Sequence, residues 1–257
     1  MRLVDTHSHF DVDSFADDRG EALARAHAAG VVAQVVPAID AAGWPQLRDV
    51  CSSHPGLHPA YGLHPIYLPW HRREHLAWLR TWLESERCVA VGEIGLDFFV
   101  QELDRDEQQH YFDAQLRLAR EFELPVVVHA RRAVDAVIAS LRRFAPLRGV
   151  VHSFSGSREQ AGQLFKLGFL LGIGGPVTYA RANRLRTLVA DMPLEHLLLE
   201  TDSPDQPDAG HRGQRNEPAR LPRVLQEIAS LRDVDPAVIA GATTANAERL
   251  FGFSAAA

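Results

Sequence analysis

Cysteine is scarce in this sequence, and long hydrophobic runs are missing from it. The two cysteines, Cys51 and Cys88, form no C-x-x-C pair, so we expect reduced thiols. A chain of 257 residues buries roughly 70–75% of its unfolded surface on folding, and it needs no disulfide or structural metal to hold it together. No apolar run approaches the roughly 20 residues of a membrane span, and residues 1–5 do not resemble a signal peptide. We therefore expect a cytoplasmic protein without a membrane partner.

The sequence also has fewer basic residues than acidic ones, 27 against 33. The formal net charge of −6 argues against a broad phosphate-binding surface of the kind that dominates binding to duplex nucleic acid. It is compatible with an enzyme that holds one or two phosphates in a pocket. Lysine is almost absent, because Lys166 is the only lysine among the 27 basic residues. We attribute this bias to genome composition.

Short apolar runs alternate with longer amphipathic stretches along the whole chain. The runs cover residues 2–6, 31–37, 59–63, 88–94, 125–129, 149–152, 169–173 and 197–201. Helical patterns cover residues 15–29, 41–53, 72–86, 104–122, 133–144, 158–167, 180–190, 218–231 and 236–250. Nearly continuous β-branched runs are typical of parallel strands buried on both faces. Eight strand–helix units predict a TIM-type (β/α)₈ barrel, a single α/β domain over residues 1–257, with a doubly wound open sheet as the alternative.

Histidines and carboxylates follow the predicted strands at their carboxyl ends, where barrel enzymes place their chemistry. His7 and His9 follow the first strand and point the same way, because alternate side chains of a strand share a face. The whole set is His7, His9, His64, Glu93, His129, His152 and Asp202. The other histidines fall in predicted helices or loops and are expected to be solvated or locally hydrogen-bonded: His27, His54, His58, His71, His75, His110, His196 and His211.

Imidazole and carboxylate groups that converge from several strands suit a mixed nitrogen and oxygen site for divalent cations. Four imidazoles and two carboxylates exceed the needs of one four-coordinate centre, so we predict two divalent ions. The ligands do not rank Mg²⁺, Mn²⁺, Zn²⁺, Ni²⁺ and Fe²⁺. Many two-metal barrels bridge their ions with a carbamylated lysine, but Lys166 falls in a predicted helix. Glu93 must therefore supply any bridge from the protein.

The motifs at the strand ends resemble those of the TatD family of metal-dependent hydrolases. They are D-T-H-S-H (5–9), G-L-H-P (62–65), G-E-I-G-L-D (92–97), L-P-V-V-V-H-A-R (124–131), V-H-S-F-S-G (151–156), E-T-D-S-P (200–204) and R-N-E-P (215–218). The resemblance runs from residue 7 to residue 251. It implies one metal on His7, His9, Glu93 and Asp202, and a second metal on Glu93, His129 and His152.

Two features depart from the family pattern. Phe98 follows G-L-D where the family often has tyrosine, and residues 205–214 form a longer loop that lacks the usual opening Tyr-Leu. This loop should help to define access of the substrate. The predicted metal ligands are not affected by either departure.

Three residues are the candidates for catalysis and substrate binding beyond metal ligation. Asp202 is expected to accept the proton of a water activated by the cations, in addition to its role as a ligand. His64 is the candidate for binding a phosphate oxygen or assisting the leaving group, and the alternative is a locally bonded histidine stiffened by Pro65. Arg131 is the preferred phosphate contact, ahead of Arg212, Arg215 and the glycines of residues 172–175.

The resemblance implies a phosphodiesterase that acts on single-stranded DNA ends as a 3′→5′ exonuclease. A second hypothesis is hydrolysis of a carboxylic ester or amide, including the removal of an aminoacyl group from tRNA, because the same activated water would attack a carbonyl. A third is a binding scaffold without catalysis, which has no need for six convergent ligands. No exposed apolar face stands out in the sequence, so we expect a monomer.

Overall fold

Eight parallel strands alternate with helices in the computed structural model, which describes residues 1–253. The strands are β1 (Leu3–Asp5), β2 (Val31–Pro37), β3 (Leu57–Tyr61), β4 (Ala90–Asp97), β5 (Val126–Arg131), β6 (Gly149–Val151), β7 (Phe169–Ile173) and β8 (Leu197–Leu199). They pair in sequence order. Between β8 and β1, the Thr6 N–H donates to the Leu199 carbonyl at 3.0 Å, and the His9 N–H donates to the Ser203 carbonyl at 2.8 Å. The predicted TIM-type barrel is confirmed, and the open sheet is excluded.

Nine α-helices surround the strands within residues 1–253. They are α1 (Arg19–Ala28), α2 (Trp44–Ser53), α3 (Arg73–Ser85), α4 (Arg105–Glu121), α5 (Val134–Arg143), α6 (Arg158–Lys166), α7 (Asn183–Asp191), α8 (Leu221–Arg232) and α9 (Pro236–Phe251). The predicted helix starts at residues 15 and 218 are wrong, because 3₁₀ turns at Asp13–Phe15 and Pro218–Arg220 precede α1 and α8. Pro222 lacks the N–H that would bond to the Pro218 carbonyl, so the regular helix begins only at Leu221.

The third strand begins two residues earlier than its apolar run suggests. Pairing of β3 with β2 starts at Leu57, and Pro59 remains inside the strand because its carbonyl still accepts from the Val89 N–H at 3.0 Å. His58 therefore lies on a strand, which corrects its assignment to a loop or helix. Its ring stacks on Phe253 with the ring centroids 4.0 Å apart.

Apolar side chains fill two regions on either side of the sheet. The larger cluster packs the strands against the surrounding helices. A smaller cluster joins strand residues such as Val35, Val127 and Leu198 to Leu250 and Phe251 of α9. This packing fixes the strands rigidly and leaves their carboxyl ends as the rim on which polar side chains converge. Within residues 1–253, no helix is both long and apolar enough to cross a bilayer.

Candidate metal centre

The structure brings all six predicted metal ligands together at the carboxyl rim of the strands. His7 Nε2 lies 3.3 Å from His9 Nε2 and 3.5 Å from Asp202 Oδ1. On the opposite side, His129 Nδ1 lies 3.3 Å from His152 Nε2. Their donor atoms form overlapping groups whose members lie within 4.8 Å of one another, one of them formed by His7, His9 and Asp202.

Glu93 lies between these two sides. Its Oε1 is 2.8 Å from His152 Nε2 and 3.1 Å from His129 Nδ1, whereas its Oε2 is 3.2 Å from His7 Nε2. Gly62 allows this position, because a Cβ there would approach the Glu93 carbonyl to 2.9 Å. Lys166 ends α6 and leads into β7, at the opposite end of the strands, so it cannot bridge ions at this rim. Glu93 therefore has the position that a carboxylate bridge requires.

Electrostatics within the centre favour an ionised Glu93. Burial opposes its charge, but His64, His152 and His7 hold the pKa of Glu93 well below its usual range. Burial also opposes a charge on His152, yet Glu93 and Asp202 raise the pKa of His152 to about 10. A cation that uses His152 as a ligand must therefore displace a proton from it.

Hydrogen bonds from outside the centre orient its imidazole rings. The Nδ1–H of His9 donates to the Pro37 carbonyl at 3.2 Å, and the Nε2–H of His129 donates to Asp97 Oδ2 at 2.9 Å. Each bond fixes one ring nitrogen as a donor, so the other nitrogen directs a lone pair at the centre. Asp97 was not among the predicted site residues, although the G-L-D motif four residues beyond Glu93 carries it.

Two further buried carboxylates support the ligands, and sequence reasoning assigned neither of them a role. Asp5 accepts from the backbone N–H of Thr201 at 2.9 Å and from its hydroxyl at 2.6 Å. Glu200 Oε1 accepts from the Ser153 N–H at 2.5 Å and lies 3.9 Å from His152 Nδ1. Burial raises the pKa of Asp5 to about 7 and that of Glu200 to about 8. Each precedes a predicted ligand by two residues, which is the only signal that the sequence offers.

Asp202 is held in an unusual backbone conformation. Its φ is +56°, in the left-handed region that non-glycine residues seldom adopt. Its N–H donates to the His7 carbonyl at 2.8 Å, and its Oδ2 accepts from the amide of Gln206. Burial raises the pKa of Asp202. These contacts direct Oδ1 toward the histidines and make the carboxylate a stronger base than an exposed aspartate.

His64 joins the centre through a different arrangement. The Ile66 N–H donates to His64 Nδ1 at 3.0 Å, so the proton of the neutral ring lies on Nε2, which is 3.0 Å from Glu93 Oε1. Burial lowers the pKa of His64 to about 4. His64 is therefore a neutral hydrogen-bond donor at pH 7, and its local bond and its contact with the centre coexist.

A cavity of about 680 Å³ opens above the centre. Arg131 lines it, as do Gly172 and Gly174 from the predicted glycine segment. Arg215 lies elsewhere, because it pairs with Asp18 at 2.7 Å. The suggestion that Arg215 contacts phosphate is wrong, since its guanidinium is already neutralised at the surface.

The donor set suits divalent cations. Within residues 1–253, the buried Glu93 Oε2 has no hydrogen-bond donor, although nitrogens of His7 and His9 lie near it. This oxygen lies 3.2 Å from His7 Nε2 and 3.5 Å from His9 Nε2, so it and the two imidazoles supply the ligand types of a mixed His and carboxylate metal site.

Comparison with known proteins gives the family. A family model described as TatD related DNase matches residues 4–252. The uncharacterized metal-dependent hydrolase YjjV of Escherichia coli (strain K12) is 42% identical over 253 residues, which cover 97% of this chain and 98% of the relative. The crystal structure of YjjV, a TatD homolog from the same organism, has a TM-score of 0.95 at 40% identity and covers 98% of both chains. A protein of Pantoea sp. (strain At-9b) named 3′-5′ ssDNA/RNA exonuclease TatD is 37% identical over 92% of this chain and 94% of its own length. The chain therefore belongs to the TatD family of metal-dependent hydrolases.

Proposed function

We propose that this protein hydrolyses phosphodiester bonds at the 3′ ends of single-stranded DNA with the help of two divalent cations. The observation that carries the proposal is the position of Glu93, whose two carboxylate oxygens face different imidazoles beneath an open cavity. Two adjacent cations suit in-line displacement at phosphorus. The family description and the name of the Pantoea relative support a nuclease.

Each cation has its own ligands in this proposal. One cation would be held by His7, His9, Glu93 and Asp202, and the other by Glu93, His129 and His152. Such cations acidify a water molecule and polarise a phosphoryl oxygen. The proposal of two ions is supported by the two oxygens of Glu93, which lie next to different imidazoles, and the number and identity of the ions are measured directly.

The remaining steps belong to residues of the chain. Asp202 accepts the proton of the attacking water, because burial raises its pKa and its Oδ1 faces the centre. His64 donates its Nε2–H to an oxygen of the substrate phosphate. It does not protonate the leaving group, because a ring with a pKa of about 4 carries no second proton at pH 7. Arg131, at the edge of the cavity, binds the same phosphate.

The test begins with the metal content of the purified protein. A 5′-labelled single-stranded oligonucleotide and an aminoacyl ester are then assayed with the native protein and with Glu93→Gln and Asp202→Asn. We expect stepwise release of mononucleotides from the 3′ end and a loss of about 100-fold or more in each variant. Glu195→Gln is the matched control, because it removes an exposed carboxylate far from the rim.

Three outcomes would contradict the proposal. Full activity of both variants would show that the assigned roles are wrong. Cleavage of the aminoacyl ester without cleavage of DNA would support the ester hydrolase instead. Absence of turnover of both substrates in the metal-loaded protein would favour the scaffold.

A further inference from the structure

A second groove of about 460 Å³ adjoins the cavity above the centre. Residues of the loops that follow β4, β5 and β6 line it together with the first turn of α5. Ser155 lines both the groove and the cavity, so the two are adjacent. None of the predicted metal ligands lines the groove, and the proposed chemistry does not use it.

An exposed aromatic ring, Phe99, lies beside this groove and contacts two arginines, of which Arg132 lines the groove. Phe99 is 43% exposed, and the Arg131 Cζ lies 3.7 Å from the centre of its ring. The Arg132 Cζ lies 4.8 Å from the same ring. Neither guanidinium forms an ion pair with a carboxylate in residues 1–253. The chain has a net charge of −6, so acidic groups that could pair with these arginines are in excess. Two arginines without such a partner therefore point to an anionic ligand.

The wall of the groove adds further positive potential. Arg132 and Arg184 line it, and the Arg184 guanidinium is anchored to the Ser155 carbonyl at 2.6 Å. The one carboxylate in the lining, Asp135, already accepts from the amide of Gln160 at 2.8 Å. The backbone N–H groups of the first turn of α5 face the same space without a side-chain cap. These groups favour an anionic ligand.

We propose that this groove binds the nucleotide next to the one being cleaved, so that the enzyme holds a single strand through at least two successive nucleotides. The inference rests on the proposed nuclease function. Arg132 and Arg184 contact the backbone phosphate, and the base stacks on Phe99. Aromatic rings combined with a positively charged groove are how proteins bind single strands without reading their sequence. An isolated phosphate would use the arginines but would have no use for an exposed phenyl ring.

The experiment separates binding in the groove from chemistry at the centre. The metal-loaded protein is titrated against a fluorescent single-stranded oligothymidylate with phosphorothioate linkages, and anisotropy is followed at several salt concentrations. Hydrolysis of bis(p-nitrophenyl) phosphate, which has no second nucleotide to place in the groove, is measured in parallel. The variants are Phe99→Ala and Arg132→Gln. Their matched controls are Trp78→Ala, an exposed aromatic residue of α3, and Arg80→Gln of the same helix.

We expect Phe99→Ala to weaken oligothymidylate binding about 5- to 100-fold, the range found when a stacking aromatic residue is removed. Arg132→Gln should lower the slope of log affinity against log salt by about 0.7, as expected for one lost phosphate contact with a single strand. Hydrolysis of the small diester should remain at the native rate in Arg132→Gln. In Phe99→Ala, which also removes the ring that contacts Arg131, any loss of this hydrolysis should be smaller than the loss of oligothymidylate binding.

Several results would overturn the inference. Oligothymidylate affinities equal to those of the controls would show that the strand does not enter the groove. An equal loss of small-diester hydrolysis would place the effect at the centre. If binding of thymidine monophosphate weakened to the same extent as binding of the strand, the groove would be a site for the product. Failure of the nuclease proposal has a different signature, in which the native protein hydrolyses the small diester but leaves an unmodified oligothymidylate intact.

Discussion

Replacement of Asp97 by asparagine should weaken cation binding although it leaves every proposed ligand in the sequence unchanged. Asp97 Oδ1 accepts from the backbone N–H groups of Phe99 at 2.9 Å and Val100 at 3.2 Å, and Oδ2 accepts from His129 Nε2. In Asp97→Asn, the amide oxygen must continue to accept from the backbone N–H groups of Phe99 and Val100, because the NH₂ group cannot accept from them. The NH₂ group therefore faces His129. The ring then accepts at Nε2 and carries its proton on Nδ1, which faces Glu93. That proton occupies the lone pair that a cation would use.

The magnitude follows from the role of such outer hydrogen bonds. Loss of a carboxylate that orients a metal-bound histidine costs about 10- to 100-fold in affinity, or about 1.4–2.7 kcal/mol. The bond at 2.9 Å to an ionised acceptor places Asp97→Asn in this range, because hydrogen bonds to charged groups contribute about 1.5–3 kcal/mol. His129 serves only one of the two proposed cation positions. We therefore expect one binding event to weaken and the other to persist.

Isothermal titration of the chelator-treated protein with Mn²⁺ or Zn²⁺ measures both events. The control is Asp104→Asn, which makes the same change in charge at the N-cap of α4, where the side chain accepts from the Glu107 N–H at 2.9 Å. Asparagine caps helices as well as aspartate does, so this variant should bind cations as the native protein does. Equal loss of both events, or native affinity in Asp97→Asn, would refute the orientation argument.

Three further predictions concern stability. Gly172→Ala should lower the free energy of unfolding in urea by about 2 kcal/mol or more, because a Cβ there would meet the Glu200 carboxylate. Gly162→Ala in α6 is the control: a Cβ there has open space, so this variant should raise the free energy of unfolding by about 0.5–1 kcal/mol. Burial lowers the pKa of His58 from 6.5 to about 4. Between these pH values the unfolded chain binds a proton on His58 and the folded chain does not. The free energy of unfolding should therefore fall as the pH is lowered from 6.5 to about 4. His58→Phe, which retains stacking on Phe253, should flatten this dependence, and an unchanged slope would refute the assignment. Cation at 100 times its dissociation constant should add about 2.7 kcal/mol, so a chelator should lower Tm; an equal Tm with and without chelator would contradict a cation site.

The sequence pattern predicts the barrel well because burial on both faces leaves long β-branched runs. The bounds of β2 and β7 agree with the predicted runs to the residue. The bounds of β3 do not agree, because a proline is typical of the first residue of a strand and the sequence therefore predicts a start at Pro59. Pro59 lies inside the strand instead: it lacks an N–H, but its carbonyl still accepts from the Val89 N–H. Other strand bounds are misplaced as well: β4 is predicted over residues 88–94 and spans Ala90–Asp97. At the starts of α1 and α8, a 3₁₀ turn and a regular helix have similar apolar spacing over one turn.

The convergence of the six ligands was predictable because strand ends of a barrel meet at one rim. The supporting residues were not. Asp97 acts through His129, and Asp5 acts through Thr201, so each has a meaning only once its partner is placed in space. Buried carboxylates at strand ends look alike in sequence, whether they face the centre or support it. The proposed role of His64 depends on a tautomer that the Ile66 N–H determines, and a sequence carries no sign of that bond.

The two sides of the centre differ in how they depend on barrel closure. Glu93, His129 and His152 lie on or directly after the neighbouring strands β4, β5 and β6, so local strand pairing assembles them. His7 and Asp202 come from opposite ends of the barrel sequence and meet only across the β8–β1 seam, where the Asp202 N–H donates to the His7 carbonyl at 2.8 Å. A cation held by residues on both sides of that seam, as proposed, would stabilise the closed barrel against opening, because separation of β1 from β8 would break its coordination. Occupancy of this position and closure of the barrel are therefore linked, whereas the position at His129 and His152 can form within one continuous stretch of sheet.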